Sequence, residues 1–187
     1  MGERPVPARV RPSWDDYFIT IAWVVSSRSS CSRRAVGALI VTDKRIVSTG
    51  YNGTPFGVAN CDEGGCPRCA SDEPAQAGYD WCLCVHAEQN AIALAARQGT
   101  ATQGATIYVT LRPCFGCLKE AIQAGIREIV FDQPFDYLPS LEEAYQTLVR
   151  QSGITLRQHN YSAAHPVPPL AAPAVHQTGP EMPDVTE

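Results

Sequence analysis

Apolar side chains at Trp14, Phe18, Ile21 and Val25 recur at helical spacing, with Ser13 placed to cap the helix and Asp15 and Asp16 in its first turn. The pattern predicts a helix from Ser13 to about Ser30. Ala35–Thr42 and Arg45–Tyr51 read as strands joined at Asp43-Lys44, so a hairpin opens the sheet. The texture then changes. From Asn52 to about Cys84 the chain is rich in Gly, Pro, Asp and Cys, and periodicity is lost. A structureless loop that long is uncommon inside a compact domain unless something else orders it. Regularity returns with His86–Gln98, an alanine-rich helix closed by Gly99. A strand at Ala105–Thr110 follows, then a helix at Phe115–Ala124 ended by Gly125 and a strand at Arg127–Phe131. A helix at Leu138–Gln151, followed by Gly153, leads to a short strand at Ile154–Gln158. Such alternation after a hairpin implies an α/β fold, a three-layer α/β/α sandwich on a mixed sheet of about five strands.

Composition sets the limits of this picture. The 187 residues suffice for one compact domain, and at 44% hydrophobic and 18% charged they can bury a core without staples. The expected domain spans residues 13–161, between a flexible N-terminal segment (1–12) and a disordered proline-rich tail (162–187). A formal net charge of -4 argues against a generic nucleic-acid or membrane-surface binder, while leaving room for a small anionic substrate held by a few arginines. The first twelve residues carry Glu3, three arginines and three prolines and do not read as a secretory signal. No run approaches a membrane span. Eight cysteines without an export signal read as metal ligands or catalytic groups, and the expected compartment is cytoplasmic.

The chemistry concentrates in two short stretches. His86-Ala87-Glu88 followed by Pro113-Cys114-Phe115-Gly116-Cys117 matches the H-x-E…P-C-x-x-C signature of zinc deaminases. The thirteen residues of helix His86–Gln98 span roughly 20 Å. The six of strand Ala105–Thr110 return over roughly the same length. The start of one helix therefore meets the start of the next, and His86 comes close to Cys114 and Cys117. One imidazole and two thiolates leave a fourth tetrahedral position for water, as a catalytic zinc needs. Both cysteines lie near a helix N-terminus, which favours thiolate, and Pro113 loses nothing there by lacking an N–H. Glu88, in the same first turn as His86, is the expected proton shuttle between water and a leaving amine. A lone Cys-x-x-Cys would read as a structural knuckle or redox pair, and a lone His-x-Glu as nothing. Their order and placement favour catalysis.

Several further stretches resemble the deoxycytidylate (dCMP) deaminase family. They are Arg11-Pro12-Ser13-Trp14-Asp15-Asp16-Tyr17-Phe18, Arg28-Ser29-Ser30-Cys31, Val36-Gly37-Ala38, Gly50-Tyr51-Asn52-Gly53-Thr54-Pro55 and Asn60-Cys61-Asp62-Glu63. With the zinc motifs, the resemblance covers about residues 11 to 160. It implies a cytidine deaminase-like fold and hydrolysis of dCMP to dUMP and ammonia. It also implies a homo-oligomer, from dimer to hexamer, and dCTP or dTTP as effectors. Asn52 would contact the sugar, and Arg28 or Arg33 would approach the phosphate. A turn after a strand is the plainer reading of Asn52-Gly53, and a solvated surface role that of either arginine.

Six cysteines remain: Cys31, Cys61, Cys66, Cys69, Cys82 and Cys84. Cys66-Pro67-Arg68-Cys69 has knuckle spacing, and the others flank it around the irregular 52–84 insert. At least one structural zinc there would order a stretch poor in apolar residues. The resemblance implies ligands at Cys31 and Cys61, with the rest of the set open. Buried or reactive thiols are the alternative. For function, the alternatives are deamination of another pyrimidine base, nucleoside or modified nucleotide, deamination of RNA, and a noncatalytic zinc scaffold. The acidic balance counts against RNA, and Glu88 has no use in a scaffold.

Overall fold

The computed structural model describes residues 11–74 and 78–160. The expected flexible segment, apart from Arg11 and Pro12, and the proline-rich tail lie outside the described residues. Helix α1 runs Trp14–Ser26, capped by the Ser13 hydroxyl, which accepts from the Asp16 N–H. It ends four residues short of the expected Ser30. The Ser26 and Ser27 hydroxyls there donate to the Trp23 and Val24 carbonyls, and the chain turns off in tight i to i−3 bonds. Strands β1 (Gly37–Thr42) and β2 (Arg45–Tyr51) form the expected hairpin. Asp43 and Lys44 take φ of 49° and 61°, the left-handed pair that suits a two-residue turn. β1 starts at Gly37 because the Val36 N–H is taken by Asn52 Oδ1.

Short elements break the insert: 3-10 turns at Cys61–Glu63 and Tyr79–Trp81, and the four-residue α2 at Pro67–Ala70. The remainder follows the expected order: α3 (Ala87–Arg97), β3 (Thr106–Leu111), α4 (Phe115–Gln123), β4 (Glu128–Gln133), α5 (Pro139–Ser152) and β5 (Thr155–Gln158). The sheet order is β2-β1-β3-β4-β5. β1 is antiparallel to β2 and β3, while β3, β4 and β5 are parallel, so the sheet is mixed.

Alternation across the pleat divides the core in two. Leu39, Val41, Tyr108 and Val130 face α1, which supplies Phe18, Ile19, Ala22 and Trp23. Ala38, Ile40, Ile107, Val109, Ile129 and Phe131 face the other side, covered by alanines of α3, Leu118 and Ala121 of α4, and Tyr145 of α5. The sandwich has three layers. A polar seam adds to the α1 side. Asp15 accepts from Tyr108 (3.0 Å) and from Arg157 (2.8 and 3.0 Å), Arg157 also reaches Glu128 (2.7 Å), and His159 lies 2.7 Å from Asp16. The Arg157 guanidinium holds the Asp15 carboxyl below the usual carboxylate range.

Two glycines set how closely the helices approach. A Cβ at Gly37 would lie 2.6 Å from Ser26 N, and one at Gly50 would lie 2.5 Å from Ala91 N and collide with the Ala87 carbonyl. Around Gly50, the Ser48 hydroxyl donates to Ala91 O (2.6 Å) and Asn90 Nδ2 donates to Tyr51 O (2.7 Å). These contacts fix the first turn of α3 beside the end of β2. Gly50→Ala is therefore expected to cost about 1–3 kcal/mol of stability through overpacking. Urea unfolding of the zinc-loaded variant measures it, and parental stability would show that α3 does not rest on β2 there.

Candidate active site and metal centres

His86 and Cys114 are both helix N-cap residues, of α3 and α4 respectively, each with extended backbone. The length match between α3 and β3 brings the two helix starts together. His86 Nδ1 lies 3.3 Å from Cys114 Sγ and 3.4 Å from Cys117 Sγ, and the Cys117 N–H donates to Cys114 Sγ at 3.4 Å. A tetrahedral zinc with Zn–S about 2.3 Å and Zn–N about 2.0 Å implies N···S edges of roughly 3.5 Å. The three donors thus fit that ion, and their types suit it.

Proton affinities within the trio differ. Hydrogen bonding from Cys117, and then from His86, pulls the Cys114 thiol down to about 4. Sharing with Cys114, together with burial, pushes Cys117 up. Contact with Cys114 raises His86. Glu88, 4% exposed, follows His86 by two residues in the same turn. Burial pushes its carboxyl up to about 7, with the His86 charge opposing.

The loop before Cys114 is held from α5 and the segment leading to it. Tyr137 and Tyr145 both donate their hydroxyls to the Pro113 carbonyl, at 3.1 and 3.2 Å. Arg112 forms a two-pronged pair with Glu142 (2.9 Å each) and lies 4.3 Å over the Tyr145 ring. Sequence reasoning passed over Tyr137, Tyr145 and Arg112. The only prior signal was their aromatic or basic character, since the contacts join positions about 25 to 30 apart.

All six remaining cysteines come together. Cys31, Cys61, Cys69 and Cys84 form one group of candidate metal ligands, and Cys66, Cys69, Cys82 and Cys84 another. Five of them, all but Cys66, border one cavity of ≈ 870 Å³ together with His86, Glu88 and Cys114, and its wall also includes Asn52, Arg34, Phe135 and Tyr137. A cavity of that size accommodates a nucleotide.

The substrate-contact candidates fare differently. Asn52 lines the cavity but is largely committed. Its Oδ1 accepts from Val36 N and Ser29 Oγ (2.8 Å each), and its Nδ2 donates to Arg34 O (2.8 Å). Arg33 also borders the cavity, yet its guanidinium donates to the carbonyls of Cys69, Arg68, Ser71 and Glu73, clamping α2. Arg28 is exposed just beyond α1 and is not part of the cavity wall. Arg34, next to Arg33 in the chain, also lines the cavity. It is exposed, its guanidinium lies 5.2 Å from the Phe135 ring, and its side chain makes no hydrogen bond or ion pair among the described residues.

Residues 12–133 match the family model described as the cytidine and deoxycytidylate deaminase zinc-binding region. The chain belongs to that deaminase family. It is 40% identical over 153 residues to deoxycytidylate deaminase of Schizosaccharomyces pombe, covering 82% of this chain and 46% of that protein. Against the Saccharomyces cerevisiae deoxycytidylate deaminase it is 39% identical over 160 residues, 86% of this chain and 49% of that one. The chain thus spans about half the length of these two relatives. Among solved structures, the dCMP deaminase of cyanophage S-TIM5 in complex with dCMP and dUMP matches with TM-score 0.62 and 25% identity, over 81% of this chain and 100% of that one.

The Pro113 clamp of this deaminase-family chain can be tested without chemistry. Tyr145→Phe leaves the Tyr137 bond in place and should cost about 1 kcal/mol. Removing both hydroxyls also leaves a buried carbonyl unpaired, which adds about 1–3 kcal/mol to the two single losses. Denaturant unfolding of the single and double variants should therefore give a double-variant loss larger than the sum. Additive losses would show that the carbonyl does not depend on the pair.

Proposed function

We propose that the chain hydrolyses dCMP to dUMP and ammonia. The observation that carries this reading is the trio of His86, Cys114 and Cys117 with the buried Glu88 beside it, in a cavity where Arg34 is left uncommitted. His86, Cys114 and Cys117 would hold a zinc ion, which would supply the Lewis acidity that activates water near neutral pH. Glu88 takes a proton from the attacking water and delivers it to the amine. The water oxygen remains on the pyrimidine ring, and the amine leaves as ammonia. Phe135 and Tyr137 offer aromatic faces to the base. Arg34 meets the 5′-phosphate, the role that Arg33 cannot take while it binds four carbonyls. Asn52 shapes the sugar end through the backbone it holds and keeps one amide N–H for the ligand.

The same reading assigns one catalytic zinc and at least one structural zinc, with residues 13–161 as the deaminase domain. Eight free thiols suit a reducing, cytoplasmic setting. Among the described residues no helix is long and apolar enough to cross a membrane. A homo-oligomer between dimer and hexamer, responding to dCTP or dTTP, completes it. The fully exposed Phe56, close to Asn52 in the chain, supports a protein interface there.

Zinc-loaded protein incubated with dCMP, deoxycytidine, CMP and a short RNA, with ammonia followed, tests the substrate. Turnover of dCMP well above the others is expected, and turnover on RNA alone would overturn the reading. Glu88→Gln should keep its zinc and lose at least ~10²-fold in kcat, the usual scale for general acid–base groups. Arg34→Ala should raise KM for dCMP about 10- to 100-fold, the scale of a charged hydrogen bond, and leave deoxycytidine kinetics unchanged. Equal effects on both substrates would remove Arg34 from the phosphate.

A further inference from the structure

The two four-sulfur groups in the insert are not separate. Cys69 and Cys84 belong to both, so eight ligand places are filled by six cysteines. Cys69 Sγ occupies the middle of this arrangement. It lies 3.9 Å from Cys31 and 3.9 Å from Cys84, and 4.0 Å from Cys82, while Cys66 and Cys82 are 3.8 Å apart. Tetrahedral thiolate coordination at Zn–S about 2.3 Å gives S···S edges of roughly 3.8 Å. These four distances match edges of such tetrahedra, the ligand atoms of each group all lie within 4.8 Å of one another, and Cys69 and Cys84 form the edge common to both.

We propose that Cys31, Cys61, Cys66, Cys69, Cys82 and Cys84 hold two zinc ions as one cluster, with the Cys69 and Cys84 thiolates bridging both. Cys31 and Cys61 complete the first tetrahedron, and Cys66 and Cys82 the second. The proposal is independent of which nucleotide the enzyme takes.

Three further observations agree with it. The cluster at the centre of the insert consists of four buried cysteines with the partly buried Cys31 and Cys82 packed on them and no aliphatic side chain, so transfer of apolar surface has little to offer there. Metal binding is the remaining source of folding energy. Second, the Ser32 N–H donates to Cys61 Sγ (3.5 Å) and the Leu83 N–H to Cys66 Sγ (3.3 Å). Both receiving sulfurs are unshared, and an unshared thiolate keeps more negative charge than one divided between two cations. Third, the charge of the cluster has partners nearby: two divalent cations and six thiolates leave two negative charges. Arg33 and the buried Arg68 lie in the same wall and offset those.

The cluster also bears on the active site through the chain itself. Cys84 precedes His86 by two residues, and Val85 between them pairs with Gly53 as an isolated antiparallel bridge, with N···O distances of 2.8 and 3.2 Å. A bridging sulfur at Cys84 would thus anchor the bridged segment that leads into His86.

Metal content of the wild-type full chain, measured by native mass spectrometry and elemental analysis, should be three zinc ions per chain: two in the cluster and one at the trio. Two or fewer in fully folded, fully loaded protein would overturn the proposal. Cys66→Ser/Cys82→Ser removes ligands of the second ion alone and should lower the folded protein to two. Retention of three would overturn the ligand assignment. Replacement of zinc by ¹¹³Cd in the wild-type protein reads the bridge directly and needs no variant. Two of the three resonances should be split by mutual coupling through shared sulfur, and three uncoupled resonances would show separate sites. None of these readouts depends on turnover, so a wrong substrate would leave them unchanged.

Discussion

Two helix N-termini are brought to one point, and each carries partial positive charge from its unpaired N–H groups. Left alone, the starts of α3 and α4 would repel each other. The residues at the junction reverse that sign. Cys114, held down as a thiolate, Cys117 and the Glu88 carboxyl place negative or electron-rich atoms between the two dipoles, with the His86 ring among them. The rest of the domain keeps this junction closed. α3 is seated on β2 at Gly50, and the chain entering α4 is gripped at Pro113 by two tyrosines. A divalent cation fits a place already arranged for it from both sides.

The structure is built on two different kinds of core. Around the sheet, aliphatic and aromatic side chains close-pack on both faces, and burial of apolar surface supplies the driving force. The 52–84 insert has no such resource, and its centre is sulfur. The sandwich can form by hydrophobic collapse, whereas the centre of the insert exists only once Cys31 is brought to the thiols between Cys61 and Cys84. Arg33 reinforces it by binding backbone carbonyls of and beyond α2, which are otherwise costly to leave unpaired.

Periodicity made the sandwich legible, because helical and strand spacing report directly on which face is buried. The hairpin and each later helix and strand fell within a few residues of their expected bounds. Deviations had local causes, such as the serine hydroxyls that end α1 and the Asn52 side chain that delays β1. The trio was legible too, since its spacing encodes a length match between a helix and a strand. The three-dimensional sharing at Cys69 and Cys84 was not, because a list of cysteines carries no information on which sulfurs lie between which. Arginine roles were equally hidden. Arg33 and Arg34 are neighbours in sequence, yet one faces carbonyls and the other remains uncommitted at the cavity, a distinction that depends on where α2 lies.

The polar seam that ties α1 to Arg157 and His159 can close only late in synthesis. Asp15 and Asp16 emerge early, while their partners Arg157 and His159 lie 142 and 143 residues downstream. Until the last strand leaves the exit tunnel, the first helix lacks the ion pairs that fasten it, and an early-made apolar face must wait partly secured. Trimming a few residues from either end of the domain would therefore injure the same fastening, because beginning and end close on each other.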